Sequence, residues 1–207
     1  MPSLTKDDAV RYPARLKGAL GLPAFLVGYL LTFLWGVGRL QSIFGELLVA
    51  KSSSTPPTFA QFLANHGASV PTWKGVGWLF YSAHFVSLSG PVQPNIISDA
   101  GGSLSLLRLV PPVVLVLAGA LAAHGSYGRT IWHTGYSGAL IFLGYFPAAV
   151  AGSLLFVVAI GLPMRPNVLY SAVLVGAVYP IVFGAIGGGL MHEVHKRSVR
   201  RETAVPS

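Results

Sequence analysis

Cysteine is absent from the 207-residue chain. That excludes disulfides, thiolate metal sites and thiol nucleophiles. Charge is scarce too. Charged residues make up 10% of the sequence, against about 25% in soluble globular domains. Asp and Glu together number 6, and none lies inside a long apolar stretch. Ion-coupled carriers commonly place a carboxylate near the bilayer midplane, so that mechanism loses weight. Low charge argues against an ordinary cytosolic enzyme. An apolar content of 53% argues equally against disorder. The remaining class is an integral membrane protein.

What the chain does have is long apolar runs. Four of them, 19–40, 104–123, 138–162 and 168–191, reach the roughly 20 residues a helix needs to cross a bilayer. Isolated strands cannot satisfy their backbone in lipid, so the runs are expected to be helical. A β-barrel would need polar and apolar residues to alternate, and Val113–Leu117 does not. The expected fold is all-α: a membrane-embedded four-helix bundle with a short-helix outer cap at 41–103. Residues 1–18 form a cytoplasmic segment and 192–207 a basic cytoplasmic tail. The N-terminus is too polar for a signal-peptide core, so the first run is expected to stay as a span.

The net charge is +8. Its basic residues flank the apolar runs instead of interleaving with polar and aromatic ones, which speaks against nucleic acid as a partner. One side of the bilayer collects Lys6, Arg11, Arg15, Lys17, Arg129, Lys196, Arg197, Arg200 and Arg201. The other collects Arg39, Lys51, Lys74, Arg108 and Arg165. The richer side should be cytoplasmic, with both termini on it.

In the cap, residues 41–50 are apolar enough to prolong the first helix. Residues 51–57 break it with serines and two prolines. Thr58 can cap a short helix to His66. Val76 to Leu88 is apolar but too short to span. Its aromatics, with Trp78, Tyr81 and Phe85 on one helical face, are expected at the headgroup level.

Arg108 is the clearest ionisable group in a span, expected to snorkel to the headgroups or pair with Asp99. Arg108, Trp78, Tyr81, His84 and Phe85 are the candidate ligand-binding residues. Small residues four apart form packing stripes. Gly28 and Gly36 mark span one, Gly144 and Gly152 span three, Gly184 and Gly188 span four. Pro111, Pro112, Pro147 and Pro180 are expected to kink their helices.

Two motifs touch on catalysis. His192-Glu193-Val194-His195 has its histidines three apart, whereas the zinc-protease pattern needs four. The two histidines are instead expected at a helix C-terminus. Gly135-Tyr136-Ser137-Gly138 resembles the serine motif of intramembrane rhomboid proteases, with His192 at similar depth as a base. That family has six or more spans, so the reading stays behind the others. No catalytic residue, metal site or cofactor is expected.

Val76-Gly-Trp-Leu-Phe-Tyr-Ser-Ala-His-Phe-Val86 resembles a segment of an uncharacterised family of haloarchaeal multi-span membrane proteins. Tyr179-Pro-Ile-Val-Phe-Gly-Ala-Ile-Gly-Gly188 is similar to that family's last span. The resemblance implies an archaeal cell membrane and supplies no activity. The function expected is that of a non-enzymatic structural or accessory subunit. Its partners would be membrane lipids and a second copy or a larger membrane complex. The alternative is a small permease or a protein that binds lipid or another hydrophobic ligand.

Overall fold

A computed structural model describes residues 14–49, 56–124, 126 and 130–203. Lys6, Arg11, Lys51 and Arg129, which enter the charge count, lie outside the described residues, as does most of the break at 51–57.

Four helices are long and apolar enough to cross a membrane: Leu16–Gly36, Gly102–Ala123, Ile131–Leu155 and Val168–Arg197. They pack together as one all-α bundle. Its outer surface carries Leu30, Leu34, Leu117, Leu121, Leu155, Val182 and Ile186, all exposed. A water-soluble bundle would place polar residues there.

Span one is α1 (Ala14–Ala19) and α2 (Gly21–Gly36). It does not run on to residue 50. A turn at Gly36, closed by the Arg39 N–H at 3.0 Å, precedes a separate α3 (Leu40–Glu46). In the cap, α4 (Phe59–Asn65) starts at a capping box in which Thr58 and Gln61 satisfy each other's backbone N–H. Next comes α5 (Thr72–Ala83). It does not lie on the interface. Residues Gly75 to Ala83 are all buried, and α5 packs against α2.

Beyond β1 (Leu88–Ser89) and α6 (Ile96–Ala100), span two opens as a 3-10 helix (Gly102–Leu109) and continues as α7 (Val110–Ala123). Pro111 and Pro112 therefore fall in the first turn of α7, where a missing N–H costs no intrahelical bond. They kink nothing. Span three joins α8 (Ile131–Ala139) to α9 (Phe142–Leu155), which contains Pro147. It starts and ends about seven residues earlier than the apolar run suggests. The end of that run is instead β2 (Val158–Ile160), turning at Gly161 (φ 68°) into β3 (Leu162–Pro166). β-Branched residues and a left-handed glycine favour a hairpin over a helix there. The small antiparallel sheet has the order β1-β3-β2.

Span four begins with α10 (Val168–Tyr170) and a π-helical stretch, Ser171–Val178. It continues as α11 (Tyr179–Thr203), with Pro180 in the first turn. The helix runs through residue 192 without a break, so the basic tail begins as a continuation of the span.

Glycine sets how closely these helices approach. A Cβ built on Gly119 would fall against the Gly184 carbonyl, and one on Gly188 against the Thr134 carbonyl. One on Gly138 would strike the Gly184 carbonyl and lie 3.0 Å from both the Gly119 oxygen and the Gly188 nitrogen. Thus α7, α8 and α11 meet backbone to backbone along one seam.

Candidate functional site

Trp78 and Tyr81 lie on α5 in the interior and His84 at its end, whereas Phe85 is 55% exposed. Trp78, Tyr81 and His84 have no exposed surface, which corrects their expected place at the headgroup level. Their polar atoms find partners in the protein instead of water. Trp78 Nε1–H donates to the Phe156 carbonyl at 2.7 Å. The Tyr81 hydroxyl donates to the Ala149 carbonyl. Phe25 and Phe80 pack edge to face beside them, with ring centroids 5.1 Å apart.

His84 lies outside the four spans, at the C-terminal cap of α5. Its Nδ1 is 2.8 Å from the Phe80 carbonyl. A carbonyl only accepts, so the proton sits on Nδ1 and leaves Nε2 to accept from the Tyr145 hydroxyl at 3.2 Å. Burial lowers the imidazole pKa to about 4, against a smaller raising effect of the Phe80 carbonyl. Below its ordinary pKa the unfolded chain takes up a proton that the folded chain refuses. Stability from this group is therefore full above about 6.5 and declines as pH falls toward 4. Thermal unfolding in detergent between pH 7 and pH 4 should show that decline. His84→Gln should flatten it, and an equal slope in both proteins would refute the assignment.

Phe85 follows His84 in the left-handed region, at φ 63°. The Val86 N–H reaches the Tyr81 carbonyl at 3.1 Å and the Phe85 N–H the Ser82 carbonyl at 3.0 Å. This is a Schellman cap with phenylalanine where glycine is usual. The Arg108 guanidinium lies 4.6 Å from the centre of the Phe85 ring, within cation–π range. Arg108 also donates to the Ser98 hydroxyl at 2.7 Å, while its Nε is buried without a hydrogen-bond partner. Asp99, the next residue, accepts from the Asn95 N–H at 3.0 Å. Arg108, His84 and Phe85 thus come together at the cap of α5. Trp78 and Tyr81 point to span three instead.

The six stripe glycines all meet other parts of the same chain. Gly28 faces Phe80 and Gly36 faces Leu79, both on α5; Gly144 meets Gly18 and Gly152 meets the Tyr81 hydroxyl. Gly184 and Gly188 close on α8. His192 and His195 stand on the shaft of α11, not at its end, near Ala123 and Thr134.

One cluster joins Ser137 of the serine motif to residues the sequence does not connect with it. Lys17 Nζ donates to the Ser126 hydroxyl at 2.7 Å and to the Ser137 hydroxyl at 3.2 Å. The two serine oxygens are 3.4 Å apart. Ser137 therefore pairs with Lys17 and Ser126, not with His192. The three residues come from α1, the segment after α7, and α8. Lys17 also lines a cleft of about 280 Å³ with Leu16, Leu20, Leu121, Ala122 and His124.

A packed helical bundle, four of whose helices are long and apolar enough to cross a membrane, is the class these features define. Within it, the chain belongs to DUF7978, a family of unknown function, whose profile matches residues 5–195. That match includes both stretches on which the sequence resemblance rests. No curated protein and no solved structure matches the chain.

Proposed function

We propose that the protein is a non-enzymatic structural or accessory subunit of a cell membrane, with both termini in the cytoplasm. The observation that carries this reading is the position of α5. A permease needs a path between its helices, and here part of the interior is filled by Trp78, Leu79, Phe80 and Tyr81, none with exposed surface. Packing this tight resists the rearrangement that alternating access requires. The stripe glycines are used within the chain, so a partner would meet the leucine- and valine-rich outside. The sequence resemblance supports an archaeal membrane.

Purification in mild detergent should yield a defined oligomer or a co-purifying protein. A monodisperse lone monomer would count against the subunit role. The absence of cysteine makes topology simple to measure. Single cysteines replacing Lys6 and Arg200 should label only from the cytoplasmic face. One replacing the exposed Asn65 should label only from outside. Labelling of Lys6→Cys and Arg200→Cys from opposite faces would overturn the orientation.

A further inference from the structure

We propose that Arg108 and the Ser98 hydroxyl clamp the phosphate of an anionic phospholipid at the outer headgroup level. This rests on the membrane reading above but not on the subunit role, and the cysteine labelling tests that reading separately. The 3-10 helix that opens span two has three residues per turn, so its side chains stand in three rows. Leu104 and Leu107 form a buried row, Leu106 and Leu109 an exposed one. Ser105 and Arg108 share the third row and are partly buried, at the edge between protein and surroundings. The exposed surface changes character along this stretch. Ser98, Asp99, Gly102 and Ser103 are exposed ahead of it. Beyond it the exposed residues are Val113, Leu117 and Leu121. A change from polar to apolar surface marks where headgroups give way to hydrocarbon. The Arg108 side chain reaches back across that boundary to Ser98, 2.7 Å away.

The charge at this position lacks a counter-ion. Among the described residues, the Arg108 side chain makes one hydrogen bond, to a neutral hydroxyl, and pairs with no carboxylate. Asp99 follows Ser98 in the chain but accepts from the Asn95 N–H. A cation beside hydrocarbon is costly unless an anion meets it. Arg108 Nε is buried, so an incoming anion meets the terminal nitrogens. The Ser98 oxygen accepts from one of them, which leaves its own proton to donate. A guanidinium next to a hydroxyl donor suits the oxygens of a phosphate. Phe85, whose ring lies under the guanidinium, and Leu109 are exposed beside it and offer apolar surface to an acyl chain. A carboxylate on another protein's helix carries the same sign of charge. At the edge of the apolar band, however, the phosphates of the bilayer itself are the anions at hand, and they favour lipid as the occupant.

Native mass spectrometry of the full-length protein, titrated with phosphatidylglycerol or phosphatidylcholine, tests this. The wild type should retain one phosphatidylglycerol in preference to phosphatidylcholine. Arg108→Gln should weaken phosphatidylglycerol about tenfold, the loss expected for one charge-assisted bond, and leave phosphatidylcholine unchanged. Arg39→Gln makes the same change of charge at the outer end of span one, where the guanidinium lies 4.4 Å from the Trp35 ring. It should keep nearly all of the affinity. If Arg108→Gln does not fold, Ser98→Asp provides the second arm. It sets a carboxylate against Arg108 from an exposed position. It should remove the preference for phosphatidylglycerol with the cation in place, while the melting temperature holds or rises. Undiminished preference in Arg108→Gln or Ser98→Asp, or equal loss in Arg39→Gln, would overturn the site. Arg108-dependent binding of inorganic phosphate, or of a co-purifying protein, without preference for phosphatidylglycerol would overturn the lipid as its ligand.

Discussion

Gly138→Leu is expected to abolish the folded bundle. Even a bare Cβ at this position strikes the Gly184 carbonyl and crowds Gly119 and Gly188. The obstacles are backbone atoms of two other helices, which cannot move aside as a flexible side chain can. Overpacking ordinarily costs about 1–3 kcal/mol. With three helices forced apart at one point, the cost here should reach or exceed the top of that range. Gly184→Leu should behave alike, since its Cβ would lie 2.6 Å from the Gly138 oxygen. Gly45→Ala is the control. Nothing lies within 4 Å of a Cβ there, and replacing a helical glycine should add about 0.5–1 kcal/mol of stability. Gel filtration of the detergent-solubilised variants, followed by thermal unfolding, reads both. A Gly138→Leu protein that melts like the wild type would show that α7, α8 and α11 do not meet along this seam.

Trp78→Ala should cost about 3–5 kcal/mol, the range for removing a large aromatic from a core. It empties a site in contact with Phe44 and Phe59. It also strips the Phe156 carbonyl of its donor, which by itself costs about 1–3 kcal/mol when the acceptor stays buried. Trp78→Phe separates the two effects, because it keeps most of the volume and loses the donor. Trp132 provides the comparison. It is 85% exposed, and Trp132→Ala should leave the melting temperature in detergent nearly unchanged. Were Trp78 a membrane-surface anchor, both alanine variants would melt close to the wild type.

These two predictions rest on parts of the fold that differ in how legible they are. The spans follow from the need for about 20 apolar helical residues, and all four lie near the apolar runs that indicate them. Span three is the exception at its ends. Phe156 to Leu162 is as apolar as a helix end. Only Gly161 and Pro163 mark the turn, and the strand forms because a partner is available at Leu162–Pro166. The site is less legible. Trp and Tyr favour the headgroup level in general. Here Trp78 and Tyr81 are drawn inside by carbonyl acceptors 78 and 68 residues away. Lys17 is 109 and 120 residues from its two serines. No spacing rule joins residues so distant, and the motif around Ser137 points to His192 instead of Lys17. Phe85 hides in the same way, since a left-handed phenylalanine is visible only once Arg108 lies over its ring.

The burial of α5 also constrains the order in which the chain is assembled. The ribosome delivers α5 before any of spans two to four. The backbone oxygens that receive its Tyr81 hydroxyl and Trp78 indole belong to Ala149 and Phe156, at the far end of a helix not yet made. During that interval the newly made segment must wait where water or the insertion machinery can solvate those donors. Its final entry between the helices becomes favourable only when synthesis has passed residue 156. A nascent chain arrested before that point would expose α5, and one arrested after it would shield it.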